Sequence, residues 1–452
     1  MSFIFFPLFH YSIIPFFHLI PIHFPDETII ISNMLLILLI LLITDLFFYK
    51  GIRHLSNHRL TVKQKKILTL LFWAHSIGFL AGTLLVSKWM HNDYNPAVQR
   101  RIYCFVGILL AFYVPKFLFI PFNFSEDIIR FSSMLIIRIV GKRKTEEVNN
   151  NLKITRITFL TKAGLILAAI PFVSLIYGMT SVKFNFRIKK INLKFKNLPE
   201  EFSGLSIVHI SDLHIGSLYG HHEKIVEAVK MINSLSPDII CFTGDIVNDF
   251  ACEMNGWFEI LGKMEARIGK YSILGNHDYG DYHYWSSDDE KMKNLEMIKQ
   301  AHHRLGFKLL LNKSITITRQ NNSIAIIGVE NWGKPPFAQY GDLDAACKGL
   351  KKSQFKILLS HDPSHWDAEV LNKKDIPLTL SGHTHGMQFG VNIGKIKWSP
   401  IQLKYPRWIG LYIEGEQLLY VNPGLGYIGY PGRVGISPEI TFLELNRKAA
   451  TI

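Results

Sequence analysis

Residues 205–214, LSIVHISDLH, decide the fold. A short apolar run of strand length ends in Asp212, and His214 follows two positions later, so a carboxylate and an imidazole leave the strand end together. One such triplet arises often by chance, but this one is repeated. DIICFTGD (238–245) ends in Gly244 and Asp245, where glycine permits the tight turn that projects the carboxylate. YSILGNHD (271–278) ends in Asn276, His277 and Asp278; FKILLSH (355–361) ends in His361; IPLTLSGHTH (376–385) ends in His383, Thr384 and His385. Five apolar strands thus each deliver a metal-capable or acid–base side chain at the carboxyl end, which is how an α/β sheet builds an active site.

The donors specify the chemistry. The imidazoles of His214, His361, His383 and His385, the carboxylates of Asp212 and Asp245 and the amide oxygen of Asn276 exceed the ligands of one zinc and suit two divalent ions sharing a carboxylate. Mn, Fe, Zn and Ni all accept such N/O sites. Two such ions clamp a phosphate oxygen and activate a water for in-line attack. No Ser or Cys with a suitable triad is apparent.

In this order, Asp212-x-His214, Gly244-Asp245, Gly275-Asn276-His277-Asp278, His361 and Gly382-His383-Thr384-His385 resemble the five motifs of the calcineurin-like metallophosphoesterase family, over about residues 183–446. The resemblance implies an α/β domain built as a four-layer β-sandwich flanked by helices. It implies that Asp212, His214 and His385 hold one metal, that Asn276, His361 and His383 hold the other, and that Asp245 bridges them. It also implies that His277, with Asn276, meets the phosphate and protonates the leaving oxygen. GLYIEGEQLLYVNPGLG (410–426), Arg433 and PEITFLEL (438–445) are similar to the C-terminal pattern of the family's bacterial membrane-associated branch. Arg433 is a candidate phosphate ligand or an anchor of the last loop. Many members place an acid three residues after the bridging aspartate to orient the catalytic histidine. Here Asn248 stands there, so orientation of His277 falls to Asn248, Asp249 or Asp278. Met387 replaces a second glycine after GHTH, and Asn422-Pro423 replaces a more basic pattern.

Upstream the composition changes. Apolar residues, 48% of the 452, are concentrated before about residue 180. Four stretches, approximately 28–49, 67–89, 102–122 and 157–177, reach the roughly 18–20 residues that cross a bilayer. The first contains MLLILLILLI (34–43), apolar all round. An all-α transmembrane region of about four helices (34–180) therefore precedes the domain (183–446). Pro115, Pro121 and Asp45 are read as lying close to helix ends. Residues 1–33, apolar but broken by Pro7, Pro15, Pro21 and Pro25, fit neither a secretory signal nor a good span, and translation is expected to start near Met34. Basic residues crowd the first and third interhelical loops (Lys50 to Lys66; Arg130 to Arg156) more than the second. The positive-inside rule then places the catalytic domain outside the cytoplasm, and the resemblance to the bacterial branch implies an integral protein of a bacterial cytoplasmic membrane.

The net charge of +14 sits largely in those loops, and no element interleaves Lys and Arg with aromatics as nucleic-acid binders do. The partners expected are the membrane and a phosphorylated small-molecule or lipid substrate, cleaved at a phosphoester, phosphodiester or pyrophosphate bond. The alternative is a non-hydrolytic regulatory protein that keeps a metal site, but no ligand is missing. His302 and His303 are expected on the surface, His221 and His222 in a solvated loop, and Trp408, Tyr405 and Trp398 in the core rather than on an apolar rim. Cys252 and Cys347 could pair.

Overall fold

The structure is a computed structural model and describes residues 27–56, 60–90, 94–140, 150–335, 337–394 and 396–448. Most of the expected N-terminal segment, residues 1–26, lies outside the described residues. The chain divides into two compact units, one holding residues 94–103 and those from 178 onward, the other the remaining helical residues.

The helical unit is built from α1 (Glu27–Ser56), α2 (Val62–Met90), α3 (Pro96–Val140) and α4 (Asn150–Thr180). Each carries a stretch long and apolar enough to span a membrane: 32–53, 62–89, 96–122 and, running past the end of α4, 161–184. Large aliphatic side chains such as Leu35, Leu70, Ile77 and Ile166 point outward, as a lipid-facing surface requires. Helix α1 runs unbroken through Met34. Two expectations are corrected. Pro115 and Pro121 lie inside the 45-residue α3, not at helix ends; each removes one backbone donor, and apolar surroundings leave the other amides no better partner than the helix. Asp45 lies inside its span and is buried. Its carboxylate accepts hydrogen bonds from Lys116 Nζ at 2.7 Å and Tyr113 Oη at 2.6 Å, joining α1 to α3.

The second unit carries two six-stranded sheets. Sheet I runs β1 (Arg187–Phe195), β14 (Glu439–Arg447), β2 (Leu205–Ile210), β3 (Ile239–Phe242), β4 (Gly269–Ser272), β5 (Phe307–Leu309). Sheet II runs β12 (Gly410–Glu414), β13 (Gln417–Val421), β9 (Leu378–Ser381), β8 (Phe355–Leu359), β7 (Asn322–Gly328), β6 (Lys313–Arg319). Strand alternation divides their side chains between two cores. Leu205 and Ile207 of β2 face Ile357, Leu359 and Leu380 of sheet II. Val208 and Ile210 of the same strand face Ile225, Val229 and Ile232 of α5 (His222–Ser234) and Ile298 of α6 (Asp288–Arg304). Trp366 and Leu343 cover the far face of sheet II, completing four layers. A fully buried aliphatic of this kind contributes about 1.5–3 kcal/mol. A separate two-stranded ribbon, β10 (Val391–Ile393) and β11 (Ile396–Trp398), belongs to neither sheet.

Candidate metal centre

All five motifs stand just beyond strand ends. Asp212, Asp245 and Asn276 follow β2, β3 and β4 of sheet I, while His361 and His383 follow β8 and β9 of sheet II, so the site forms where the carboxyl ends of both sheets meet. Glycines permit the close approach. A Cβ on Gly382 would strike Asp212 and Ser211, and one on Gly275 would strike Asp245.

The donor atoms gather in two groups. In one, His385 Nε2 lies 3.1 Å from both Asp212 Oδ1 and His214 Nε2. In the other, Asn276 Oδ1 lies 3.0 Å from His361 Nε2 and 2.8 Å from His383 Nδ1. Asp245 Oδ2 stands between, 3.1 Å from His361 Nε2 and 3.5 Å from His214 Nε2. Ligands bound about 2.1 Å from one ion sit about 3.0–3.4 Å apart, so these spacings are the edges of coordination polyhedra. Two imidazole nitrogens facing each other beside a carboxylate also bring lone pairs together unless a cation or proton separates them. The donor set therefore fits two divalent ions.

Electrostatics agree. Burial pushes the Asp245 carboxyl up, but His361, His277 and His214 outweigh it and hold it well below the usual carboxylate range. Asp212 is held low in the same way, by His385 and His361 against its burial. Burial lowers His361, yet Asp245 and Asp212 raise it overall to about 10, whereas burial takes His383 down to about 4. Asp212, His214, Asp245, His383 and His385 all hold positive φ, between 46° and 70°. Non-glycine residues adopt that conformation at a cost, and it clusters at functional sites because the surroundings enforce it.

His277 is set by backbone. Its Nδ1 lies 2.7 Å from the Asn248 carbonyl oxygen, which can only accept, so the proton is on Nδ1 and Nε2 is the nitrogen that titrates. Neither Asp249 nor Asp278 does this work. Asp278 accepts from the amides of Asp245, Gly275 and Ile246 at 2.8–2.9 Å, tying two motif loops together and touching no reacting position. It is a positioning residue, its carboxyl pushed up to about 7 by burial and by Asp245. Arg433 is fully buried, and its guanidinium donates to the carbonyls of Pro423, Gly424 and Gly426, so it anchors the last loop instead of facing a phosphate.

Several partners escape sequence reasoning. The Tyr405 hydroxyl meets His383 Nε2 at 2.8 Å and Asp362 at 3.3 Å. Tyr282 receives the Asn276 amide at 2.8 Å, and its ring lies against His277. Glu253 accepts from the amides of Gly216, Asn248, Asp249 and Phe250 and so shapes the loop that presents the Asn248 carbonyl. Only Asp362, next to His361, had a positional signal. Among the other expectations, His302 is buried, not superficial, because its ring packs on Phe242 and its Nδ1 meets Ser272 Oγ. His222 opens α5 and stacks on Trp257 instead of lying in a solvated loop. Tyr405 and Trp408 are core but Trp398 is exposed, and Cys252 and Cys347 are unpaired.

Comparison with known proteins agrees with this geometry. A model described as "Probable Calcineurin-like phosphoesterase, transmembrane domain" matches residues 28–183, and one described as "Calcineurin-like phosphoesterase" matches 205–387. A transmembrane protein with metallophosphoesterase domain of Danio rerio is 30% identical over 295 residues, 64% of this chain and 63% of that protein. The uncharacterized metallophosphoesterase YkuE of Bacillus subtilis (strain 168) is 33% identical over 261 residues, 56% of this chain and 83% of its own length. Phosphodiesterase YaeI of Escherichia coli (strain K12) is 27% identical over 246 residues, 53% of this chain and 81% of its own. The chain spans less than two thirds of the Danio rerio protein.

Proposed function

Since this membrane protein belongs to the calcineurin-like metallophosphoesterase family, we propose that it is a two-metal phosphohydrolase acting on a phosphodiester or pyrophosphate of a lipid-linked substrate. The observation that carries this reading is the pair of donor groups with Asp245 between them, five ligands being held in left-handed backbone. Two divalent ions, when bound there, supply charge withdrawal from a phosphoryl oxygen and a water acidified enough to attack phosphorus. Asp212, His214 and His385 would hold one and Asn276, His361 and His383 the other, with Asp245 shared. His277, its Nδ1 fixed on the Asn248 carbonyl, keeps Nε2 to give a proton to the leaving oxygen.

The choice of a diester is supported by the printed name of the Escherichia coli relative, and the choice of a lipid by the four candidate spans in the same chain. An extracytoplasmic site is supported by residues 94–103. This stretch, where the chain enters the third candidate span, carries two basic residues, Arg100 and Arg101, fewer than the first or the third loop, and it belongs to the catalytic unit: Tyr103 Oη lies 3.3 Å from Asn248 Nδ2.

The test is hydrolysis of bis-p-nitrophenyl phosphate and p-nitrophenyl phosphate by the purified full chain, metal-stripped and then supplied with manganese or zinc. Metal-dependent turnover with preference for the diester is expected. His277→Ala should keep both ions by elemental analysis and lose roughly a hundred- to ten-thousand-fold in rate. Full activity of that variant on a poor leaving group would remove the general-acid assignment.

A further inference from the structure

The ribbon β10–β11 is an amphipathic element with nothing on its apolar face among the described residues. Its register pairs Val391 with Trp398, Asn392 with Lys397 and Ile393 with Ile396. Directly opposed and alternate residues share a face, so Val391, Ile393, Ile396 and Trp398 form one side and Asn392 and Lys397 the other. The apolar side is open: Ile393 is 74% exposed, Ile396 66% and Trp398 47%, and Leu403 in the following turn is 75% exposed. An isolated two-stranded hairpin is marginal in water, and a soluble surface rarely gathers so many large apolar groups unless something covers them.

The base of this ribbon, in contrast, is firmly held. The Ser399 hydroxyl donates to the Gly386 carbonyl at 2.9 Å, and the Gly390 amide donates to the Val434 carbonyl at 2.9 Å. The ribbon is thus an insert between His385 of the metal centre and Tyr405, whose hydroxyl meets His383.

Two observations say what covers it. The first is charge. Lys397, on the back of the ribbon, and Lys189 of β1 bring their ammonium groups to the same place, 3.3 and 3.7 Å from where a Cβ on Gly410 would sit. Burial lowers the Lys397 pKa, the facing Lys189 lowers it further, and Glu439 offsets this only in part. An anionic group settling there would relieve both. The second is chain length. The last candidate span ends at Phe184, five residues before Lys189. Five residues reach at most about 17 Å, so Lys189, and Lys397 beside it, are tethered close to the membrane surface. Exposed aliphatics with a tryptophan and flanking lysines are what the boundary between headgroups and acyl chains binds.

We propose that the β10–β11 ribbon is a membrane-docking element, its Val391, Ile393, Ile396 and Trp398 face seated in the bilayer interface and Lys189 and Lys397 on anionic phospholipid headgroups. Docking there ties to the bilayer the chain segment that joins His385 of the metal centre to Tyr405.

The test uses the full chain in nanodiscs of phosphatidylcholine with or without phosphatidylglycerol, with Cys104, Cys252 and Cys347 replaced by Ser. Ile393→Cys carries an environment-sensitive fluorophore, and Met292→Cys on α6, 65% exposed, is the reference. Acyl-chain-brominated lipid should quench the label at 393 several-fold more than at 292, with a blue-shifted emission. The double change Lys189→Glu and Lys397→Glu should reduce that excess in phosphatidylglycerol discs and leave it nearly unchanged without the anionic lipid. Equal, water-like signals at both positions overturn the proposal. A shielded label at 393 that lipid does not quench, but that self-quenches between copies, overturns it in favour of self-association. Since no arm measures turnover, the outcome is separate from the phosphohydrolase reading.

Discussion

The helical unit and the metal centre both bury carboxylates, and they compensate them in opposite ways. Asp45 is closed by its own chain: Lys116 supplies the countercharge at 2.7 Å and Tyr113 a further donor, leaving a neutral and satisfied cluster between α1 and α3. Asp212 and Asp245 meet imidazoles and backbone amides but no lysine or arginine salt bridge among the described residues. Arg433, which burial lowers to about 10 despite the opposing pull of nearby Asp212, bonds carbonyl oxygens instead. One cluster is finished on folding. The other keeps its negative charge for ions that come from outside.

Asp245→Asn breaks the second cluster with the largest effect expected. It removes the one carboxylate that reaches both donor groups, so turnover should fall to background and both ions should be lost by elemental analysis. Metal should raise the melting temperature of the unaltered protein, since it binds the folded state, and should raise that of the variant much less. Retention of both ions would show that Asp245 is not shared. Asp45→Ala attacks the first cluster and should cost about 3–5 kcal/mol, because Lys116 is left buried without its countercharge. Adding Lys116→Met should recover most of that loss, and chelation should not alter it. A loss that depended on metal would mean that the two clusters are not independent.

A third kind of compensation separates these two. Among the described residues Glu253 meets neither lysine nor histidine but four backbone amides, and burial pushes it up to about 7 against their pull. The folded carboxyl then keeps its proton to about pH 7, while the unfolded chain releases it near 4.5. Between those values the folded state binds more protons, so stability falls as pH rises, by at most about 3 kcal/mol, and the loss is complete above pH 7. Unfolding measured across that window should show this slope, and Glu253→Gln should flatten it. A slope unchanged in the variant would place the titration elsewhere.

What the sequence revealed follows the same division. Asp212, Asp245, Asn276, His361 and His383 were legible because each follows an apolar strand, and strand ends are written in local pattern. The four spans were legible because an apolar helix needs no partner to be recognised. Asp45, Tyr405 and Glu253 were not, because their partners lie on other elements and nothing in local periodicity records which loop a carboxylate will meet. The prolines of α3 misled for the converse reason. Their local preference ends helices in water, and apolar surroundings override it.

The smallest effect expected is at Asn248, where family habit would have placed the acid that orients His277. The Asn248 side chain meets Ser217 Oγ at 3.2 Å and Tyr103 Oη at 3.3 Å, both weak contacts, while its carbonyl holds His277 Nδ1 at 2.7 Å. A carbonyl survives any substitution of its own side chain. Asn248→Ala should therefore keep the His277 tautomer and leave kcat within about ten-fold of the unaltered protein, below the range for loss of a general acid. The pH profile of kcat should keep its shape, since the group that titrates is still Nε2 of a ring fixed through Nδ1. If Asn248→Ala lost as much rate as His277→Ala, or moved the acid limb of that profile, the side chain would be the orienting group. The backbone assignment would then fail, because its one distinguishing consequence is indifference to what residue 248 carries.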